Sequence, residues 1–213
     1  MSGLLLDVGV VMLRSAWELA DEYEALMGLP PGTVPGRGPF DPDGDAEWRR
    51  HLAGDITESD YWMAFAAEGE RRGAPVAGYR HLMQAMFQTP GIDPVRPEAM
   101  AIVTDAAAAG RRVGILSNEL YSFQGEEWVR ATPIFADITV ICDGGRMGVM
   151  KPADAAYQKA IAAMGEPAHD IVFIDDNPRY ASAGAAHGLQ AVWLDVLDVP
   201  AAFAEARRRL GLD

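Results

Sequence analysis

The chain has 213 residues, 49% of them hydrophobic and 23% charged, which is ordinary for a globular protein and excludes a largely disordered one. The formal net charge of −13 disfavours nucleic acid as a partner, because that binding relies on Lys and Arg contacts to phosphates. No stretch approaches the roughly 20 apolar residues of a membrane span, and the single cysteine, Cys142, cannot form an intrachain disulfide, so we expect a cytoplasmic protein without a membrane partner.

The first predicted element is a short buried strand. Leu4 to Val8 is a nearly continuous apolar run without alternation, which is typical of a strand covered on both faces in a parallel sheet. Asp7 is the one carboxylate in this run and lies near its carboxyl end. Ligands of parallel sheets bind beyond the carboxyl ends of the strands, so Asp7 is either a reactive group or a residue that caps the next turn.

A helical segment follows the first strand. Ser15 and Glu18 form a capping-box pattern that begins a helix, and Gly28 ends it. Pro and Gly recur from 30 to 44, which predicts a long irregular loop, and two further helices are predicted from about 57 or 59 to 72 and from about 76 to 88. We expect residues 14–93 to form an inserted helical domain, with 93–97 as the linker back.

The rest of the chain alternates between helices and strands, the pattern of a parallel α/β sheet. Strands are predicted at 113–116, 138–141, 171–174 and 191–194, and helices from 97, at 153–164, at 179–187 and at 200–210. The predicted fold is α/β: a Rossmann-like three-layer core with a parallel sheet, formed by 1–13 and 94–213, plus the inserted helical domain.

Polar groups follow four of the predicted strands. Asp7, Ser117 with Asn118, and Asp175 with Asp176 stand at strand ends, and the strand at 138–141 leads through 142–145 towards Lys151. Because parallel strands point the same way, these groups should converge on one edge of the sheet.

This convergence predicts a metal site beside a phosphate site. The like charges of Asp7, Asp175 and Asp176 need a cation among them, and carboxylate oxygens are ligands that Mg²⁺ prefers. A structural alternative is that Asn177 and Pro178 simply begin a helix there. Lys151 gains nothing from the dipole at a helix start, so we expect it, with the Ser117 hydroxyl and the Asn118 amide, to cradle a phosphoryl group.

These motifs resemble the four signature motifs of the haloacid dehalogenase superfamily. The resemblance covers nearly the whole chain, and the insertion at 14–93 resembles that family's helical cap. It implies that Asp7 is a nucleophile that forms an aspartyl-phosphate, which water then hydrolyses. The implied ligands of Mg²⁺ are Asp7, the backbone carbonyl of Gly9, and Asp175 or Asp176. Ser117 is implied to bind the phosphoryl oxygens, and Lys151 to pair with the phosphate and the nucleophile.

One position departs from the family's phosphatases, most of which carry a second Asp two residues after the nucleophile. Here that position is Gly9. Three outcomes are open: a leaving group that departs without a proton, a substitute acid such as Glu119 or a cap residue, or a weak catalyst. The absence also argues against a phosphomutase.

Two rival functions follow from the same resemblance. A metal-independent 2-haloacid dehalogenase also lacks the second Asp, but Asp175 and Asp176 would serve no purpose in it. A catalytically weak member would bind a phosphorylated ligand without turnover. A phosphonate-cleaving enzyme would use a cap lysine, and 14–93 contains none.

The resemblance places substrate choice in the cap. We expect the substrate to be a small phosphorylated metabolite, and Arg37 to bind an anionic group of it. Further candidates, each of which could equally serve packing or the surface, are Trp17, Trp48, Arg49, His51, Tyr61 and Trp62. The sequence is compatible with a monomer or a homodimer.

Overall fold

The computed structural model describes residues 2–212. The strands are β1 (Gly3–Leu6), β2 (Val113–Ser117), β3 (Val140–Asp143), β4 (Ile171–Asp175) and β5 (Gln190–Trp193). The helices are α1 (Ala16–Met27), α2 (Ala46–Ala53), α3 (Glu58–Arg71), α4 (Tyr79–Gln88), α5 (Pro97–Ala108), α6 (Leu120–Gln124), α7 (Glu126–Ala131), α8 (Gly144–Met147), α9 (Asp154–Met164), α10 (Pro178–Ala186) and α11 (Val199–Leu210). Within the described residues, none of these helices combines the length and the apolar composition needed to span a bilayer.

The chain divides into two compact units. The core unit contains the residues up to Leu13 and those from Val95 onward, and the helical unit contains Arg14–Pro94. All five strands lie in the core unit and form one parallel sheet with the order β3-β2-β1-β4-β5. The predicted α/β class with a parallel, Rossmann-like sheet is therefore confirmed. The role of the helical unit as a cap stays a prediction.

β1 occupies the centre of the sheet. Its four residues are buried, and Leu6 pairs with Ile115 of β2 on one side and Ile174 of β4 on the other. β1 therefore lies between two strands, and the burial of its four residues agrees with the strand covered on both faces that its continuous apolar sequence predicts. The strand ends at Leu6, two residues before the predicted end, because the carbonyl of Val8 already accepts the amides of Met12 and Leu13 in a turn.

Helices cover the sheet and bury its apolar side chains. Leu5 and Phe173 pack with Tyr157 of α9 in one core cluster, and all three side chains are fully buried. Gly114 of β2 permits the close approach of α9, because a Cβ at this position would lie 2.6 Å from the sulfur of Met164. α5 packs against β1 and β2, and α11 packs against α5. Fully burying one such side chain contributes roughly 1.5–3 kcal/mol, so this packing fixes the strand ends that carry the site.

The helical unit contains α1 to α4. Ser15 caps α1 through the predicted capping box with Glu18, and Gly28 ends the helix in the left-handed region with φ 63°. Helix α2 was not predicted. None of its residues is buried, and its N-terminal cap is the side chain of Asp45.

Two buried carboxylates hold the Pro/Gly-rich loop. The Glu24 carboxylate accepts hydrogen bonds from the amides of Gly32 and Val34, at 2.9 and 2.6 Å. The Asp45 carboxylate accepts from the amide of Gly38 at 3.0 Å. Backbone amides that would otherwise be unsatisfied inside the unit are thereby paired. These hydrogen bonds fix the backbone conformation of a loop that has no long secondary structure.

Aromatic side chains form the centre of the helical unit. The indole Nε1 of Trp17 donates to the Tyr61 hydroxyl at 2.8 Å, and that hydroxyl donates to Asp45 Oδ2 at 2.9 Å. Burial raises the pKa of Tyr61, so the hydroxyl keeps the proton that it donates. The rings of Trp48, Trp62 and Phe65 pack around Tyr61. These contacts favour the packing interpretation of the aromatic residues.

The segment between β2 and α9 departs most from the prediction. β3 begins at Val140, two residues later than predicted, and the short helices α6, α7 and α8 were not predicted. β3 lies at the edge of the sheet, where Val140 is half-buried and Ile141 is 36% exposed. Its apolar run therefore extends beyond the residues that pair, and apolar character alone does not locate the strand.

Candidate active site

Two carboxylates leave the sheet side by side. Asp7 follows β1, and its amide donates to the carbonyl of Ile174 in the adjacent β4 at 2.9 Å. Asp175 is the last residue of β4. The Nζ atom of Lys151 lies 3.0 Å from Asp7 Oδ1 and 2.6 Å from Asp175 Oδ2. One ammonium group therefore joins two carboxylates from neighbouring strands, and three of the predicted site residues come together.

The members of this cluster differ in their access to solvent. The side chains of Lys151 and Asp175 are 1% and 0% exposed, whereas that of Asp7 is 14% exposed. A reactant that comes from solvent can therefore meet the Asp7 carboxylate, while Lys151 and Asp175 act from behind it.

Burial and charge shift the protonation of the cluster. Burial raises the pKa of Asp175 to about 7; the charge of Lys151 opposes this shift and the charge of Asp7 adds to it. Burial alone would lower the pKa of Lys151, but the charges of Asp175 and Asp7 outweigh it and raise that pKa. Lys151 is therefore firmly charged, and Asp175 holds its proton more readily than an ordinary carboxyl group.

The predicted metal ligands also lie together. Asp7, Asp175 and Asp176 each place a carboxylate oxygen within 4.8 Å of the others. When ionised, three carboxylates beside one ammonium leave an excess of two negative charges, which a dication would offset, and oxygen ligands suit Mg²⁺. The Gly9 carbonyl accepts a hydrogen bond from the Val11 amide at 2.6 Å, and a second lone pair remains for a further interaction. The donor set fits Mg²⁺.

Asn118 holds the backbone of Lys151. Its side-chain oxygen accepts from the Lys151 amide at 2.7 Å, and its side-chain nitrogen donates to the Lys151 carbonyl at 3.2 Å. This double contact joins the loop after β2 to the loop before α9, which begins at Asp154 rather than directly after Lys151. The Asn118 side chain thus holds the Lys151 backbone in place, and its donation to a phosphoryl group stays a prediction.

Ser117 is the last residue of β2 and is 6% exposed. Opposite it in the sheet stands Asp143 of β3, a buried carboxylate that the sequence analysis did not single out. Asp143 accepts hydrogen bonds from the amides of Tyr121 and Arg146, at 3.2 and 3.0 Å. It thereby fixes the chain that follows Ser117. An Asp before two glycines is typical of a turn, so no separate signal at Asp143 indicates this role.

The loop after β4 is held by a second residue that sequence reasoning missed. Trp193, opposite Asp175 in β5, donates its indole Nε1 hydrogen to the Asp176 carbonyl at 2.8 Å, although the side chain is 51% exposed. The predicted helix start is confirmed: the Asn177 side chain accepts from the Arg179 amide, and Pro178 occupies the first turn of α10. The helix cap at Asn177 and the carboxylate cluster of Asp7, Asp175 and Asp176 are therefore both present.

Two other predicted residues make contacts of a different kind. Arg37 belongs to the helical unit, where its Nη2 atom lies 2.6 Å from Asp21 Oδ1 and its Nη1 donates to the Gly36 carbonyl. Its role in binding an anionic group stays a prediction. Glu119 directly precedes α6, and its carbonyl accepts from the Ser122 hydroxyl at 3.1 Å. Its role as a substitute acid also stays a prediction.

Sequence comparison relates the chain to a known family of hydrolases. The sequence model of the haloacid dehalogenase-like hydrolase family matches residues 15–188, well over half of the chain. A phosphoserine phosphatase from Thermus thermophilus is 30% identical over 127 residues, which cover 59% of this chain and 50% of that protein. The chain spans about half the length of the curated relatives that it matches.

Solved structures show the same fold. A putative hydrolase of this family from Bacillus subtilis, bound to magnesium, aligns with a TM-score of 0.64 and 16% identity, over 91% of this chain and 86% of that one. An L-2-haloacid dehalogenase aligns with a TM-score of 0.57 and 22% identity, over 92% of this chain and 86% of that one. At these identities the likeness concerns the fold alone.

Proposed function

The chain belongs to the haloacid dehalogenase-like hydrolases, and we propose that it is a Mg²⁺-dependent phosphatase that hydrolyses a small phosphorylated metabolite through Asp7. The observation that carries this proposal is the cluster of Asp7, Lys151 and Asp175, in which only Asp7 reaches solvent. The phosphatase relative and the magnesium bound to the Bacillus subtilis hydrolase support it.

The first chemical step is attack by Asp7. One carboxylate oxygen of Asp7 forms a bond to phosphorus, and the bond between phosphorus and the leaving-group oxygen breaks. The electron pair of that bond departs with the leaving group, which takes its proton from water. Lys151 holds Asp7 Oδ1 at 3.0 Å and thereby fixes the orientation of the nucleophile. In this proposal the Ser117 hydroxyl donates to a phosphoryl oxygen.

The second step restores the enzyme. Water attacks phosphorus, its released proton passes to solvent, and the bond between Asp7 and phosphorus breaks to give inorganic phosphate and the free carboxylate. Asn118 keeps Lys151 in place through both steps by its two contacts to the Lys151 backbone. Mg²⁺, held by Asp7, the Gly9 carbonyl and Asp175 or Asp176, would reduce the repulsion between the nucleophile and the anionic phosphoryl group.

Gly9 shapes the proposed substrate class. It carries no acid, so no side chain at this position protonates the leaving group. General acid help typically contributes about 10²–10⁴ in rate. We therefore propose that the enzyme favours substrates whose leaving group departs as a stable anion, such as acyl, glycosyl or aryl phosphates.

The test is phosphate release with Mg²⁺ from 4-nitrophenyl phosphate, followed by a panel of acyl, sugar and nucleotide phosphates and phosphoserine. The expected result is turnover that EDTA removes and that Asp7→Asn abolishes. Equal phosphate release by wild type and Asp7→Asn would refute the proposal. Halide release from a 2-haloacid in EDTA would identify the dehalogenase, and tight ligand binding without turnover would identify the weak member of the fold.

A further inference from the structure

The turn that follows Asp7 has an unusual backbone. Val10 has φ 60°, and within residues 2–212 it is the one non-glycine residue with a positive φ. A β-branched residue rarely adopts this region, because its side chain clashes with the backbone. The Val11 amide donates to the Gly9 carbonyl at 2.6 Å and closes a three-residue turn around Val10. A positive φ at the centre marks the strained form of such a turn.

Arg96 contacts this turn from a distant part of the chain. Its side-chain Nε donates to the Val10 carbonyl at 2.9 Å, across 86 residues of sequence, and its own amide donates to the Met12 carbonyl at 2.9 Å. Next to these contacts, Leu13 and Val95 form an isolated antiparallel bridge. Arg96 therefore holds the turn at two carbonyls.

The Arg96 side chain lies buried beside the turn, and the residue is only 4% exposed. A hydrogen bond from a charged donor is stronger than one between neutral groups. The hydrogen bond from Arg96 to the Val10 carbonyl stabilises the orientation that this carbonyl has when Val10 adopts φ 60°. It therefore offsets the strain of Val10.

We propose that Arg96 is a positioning residue that fixes the nucleophile turn, residues 8–13, and through it the Asp7 carboxylate and the Gly9 carbonyl. Without Arg96, Val10 relaxes towards a negative φ, and the Gly9 carbonyl turns away from its present direction. The link to catalysis rests on the proposed function; the effect on the backbone does not.

Amide hydrogen exchange tests the backbone part without any activity. In Arg96→Met, the amides of Val11, Met12 and Leu13 should exchange at least about tenfold faster than in wild type, while those of Val113–Ser117 in β2 stay unchanged. Val10→Gly in the Arg96→Met background should recover most of the protection, because glycine adopts φ 60° without strain. A uniform rise of exchange, or no recovery by Val10→Gly, would overturn the proposal.

Metal affinity and kinetics test the functional part. Titration calorimetry with Mg²⁺ and steady-state kinetics should show that Arg96→Met lowers affinity and kcat by about 10- to 100-fold, the usual range for residues that orient metal ligands. Val10→Gly should again restore part of both. An Arg96→Met protein that melts earlier but binds Mg²⁺ and turns over like wild type would overturn the proposal.

Two further outcomes are distinguishable. If wild type releases no phosphate, the proposed function fails, and the exchange comparison still decides the role of Arg96. If Arg96→Met does not fold, Arg96→Lys is measured in the same way, because it keeps the charge but loses the Nε donor. Faster exchange confined to the nucleophile turn then supports the proposal, and unchanged or uniform exchange refutes it.

Discussion

Gly9→Asp places an acid where the proposed enzyme has none. Gly9 is exposed, its φ lies outside the left-handed region, and a Cβ built on it has no atom within 4 Å. A Cβ at this position therefore meets no clash, and the backbone is free of left-handed strain. A carboxylic acid two residues from the nucleophile can protonate a leaving group that now departs as an anion.

The magnitudes favour a net gain in rate. General acid help of about 10²-fold, the lower end of its usual range, corresponds to about 2.7 kcal/mol of barrier. The added negative charge at an exposed position costs on the order of 1 kcal/mol through repulsion from the nearby carboxylates. The acid effect exceeds this cost, so we expect turnover of alkyl phosphates to rise by about 10- to 100-fold.

The assay compares an alkyl phosphate with 4-nitrophenyl phosphate at saturating Mg²⁺. Gly9→Asp should raise kcat for the alkyl phosphate and change kcat for the aryl phosphate little, because nitrophenolate leaves without a proton. Gly9→Asn is the matched control, since it has the same shape without the acid. Equal effects of Asp and Asn, or an unchanged ratio between the two substrates, would refute the assignment of Gly9 as the missing acid position.

Three further predictions concern contacts described above. Asn118→Ala removes both side-chain contacts to the Lys151 backbone and should lower kcat by about 10- to 100-fold, with little change in Mg²⁺ affinity by calorimetry. Asn118→Asp keeps the acceptor and should lower kcat by less. An equal loss of kcat in both variants would contradict the positioning role. Burial raises the pKa of Asp175 to about 7, above the roughly 3.9 of the unfolded chain, so this group stabilises the metal-free fold at low pH and loses that contribution as pH rises from about 4 to 7. Melting temperatures in EDTA should show this decline in wild type and a flatter profile in Asp175→Asn; parallel profiles would contradict it. Tyr61→Phe removes the hydroxyl between Trp17 and Asp45, and urea denaturation should show a loss of about 1–3 kcal/mol; a stability equal to that of wild type would mean that the hydroxyl is dispensable.

Strong local patterns made much of the fold predictable. Ser15 with Glu18 and Gly28 marked the two ends of α1, and Asn177 with Pro178 marked the start of α10. Helix α2 was not predicted because it is only 8 residues long, buries none of them, and has only Trp48 and Leu52 as large apolar side chains. Local chemistry thus identifies elements with caps and an apolar stripe and misses exposed or very short ones.

The part of the candidate site that follows the strands of the parallel sheet could be predicted from the sequence. Asp7, Lys151 and Asp175 could be grouped because parallel strands present their carboxyl ends at one edge. The residues that hold them in place could not be found in this way. Arg96 lay in an apparent linker, and nothing in the sequence indicates that it reaches the carbonyl of Val10. Such contacts depend on tertiary packing between segments that are far apart in the chain.

The burial of Lys151 gives the protein an unusual chemical selectivity. The chain has two lysines, and they differ sharply: the Lys151 side chain is 1% exposed, whereas Lys159 lies exposed on α9 with its Nζ near the Met147 carbonyl. Acylating reagents require a free, uncharged amine, and the raised pKa of Lys151 keeps its amine charged. Of these two lysines, a mild ester reagent should therefore attach a dye or a surface to Lys159 and leave Lys151 unmodified. Acylation of Lys151 would then report that the site has opened.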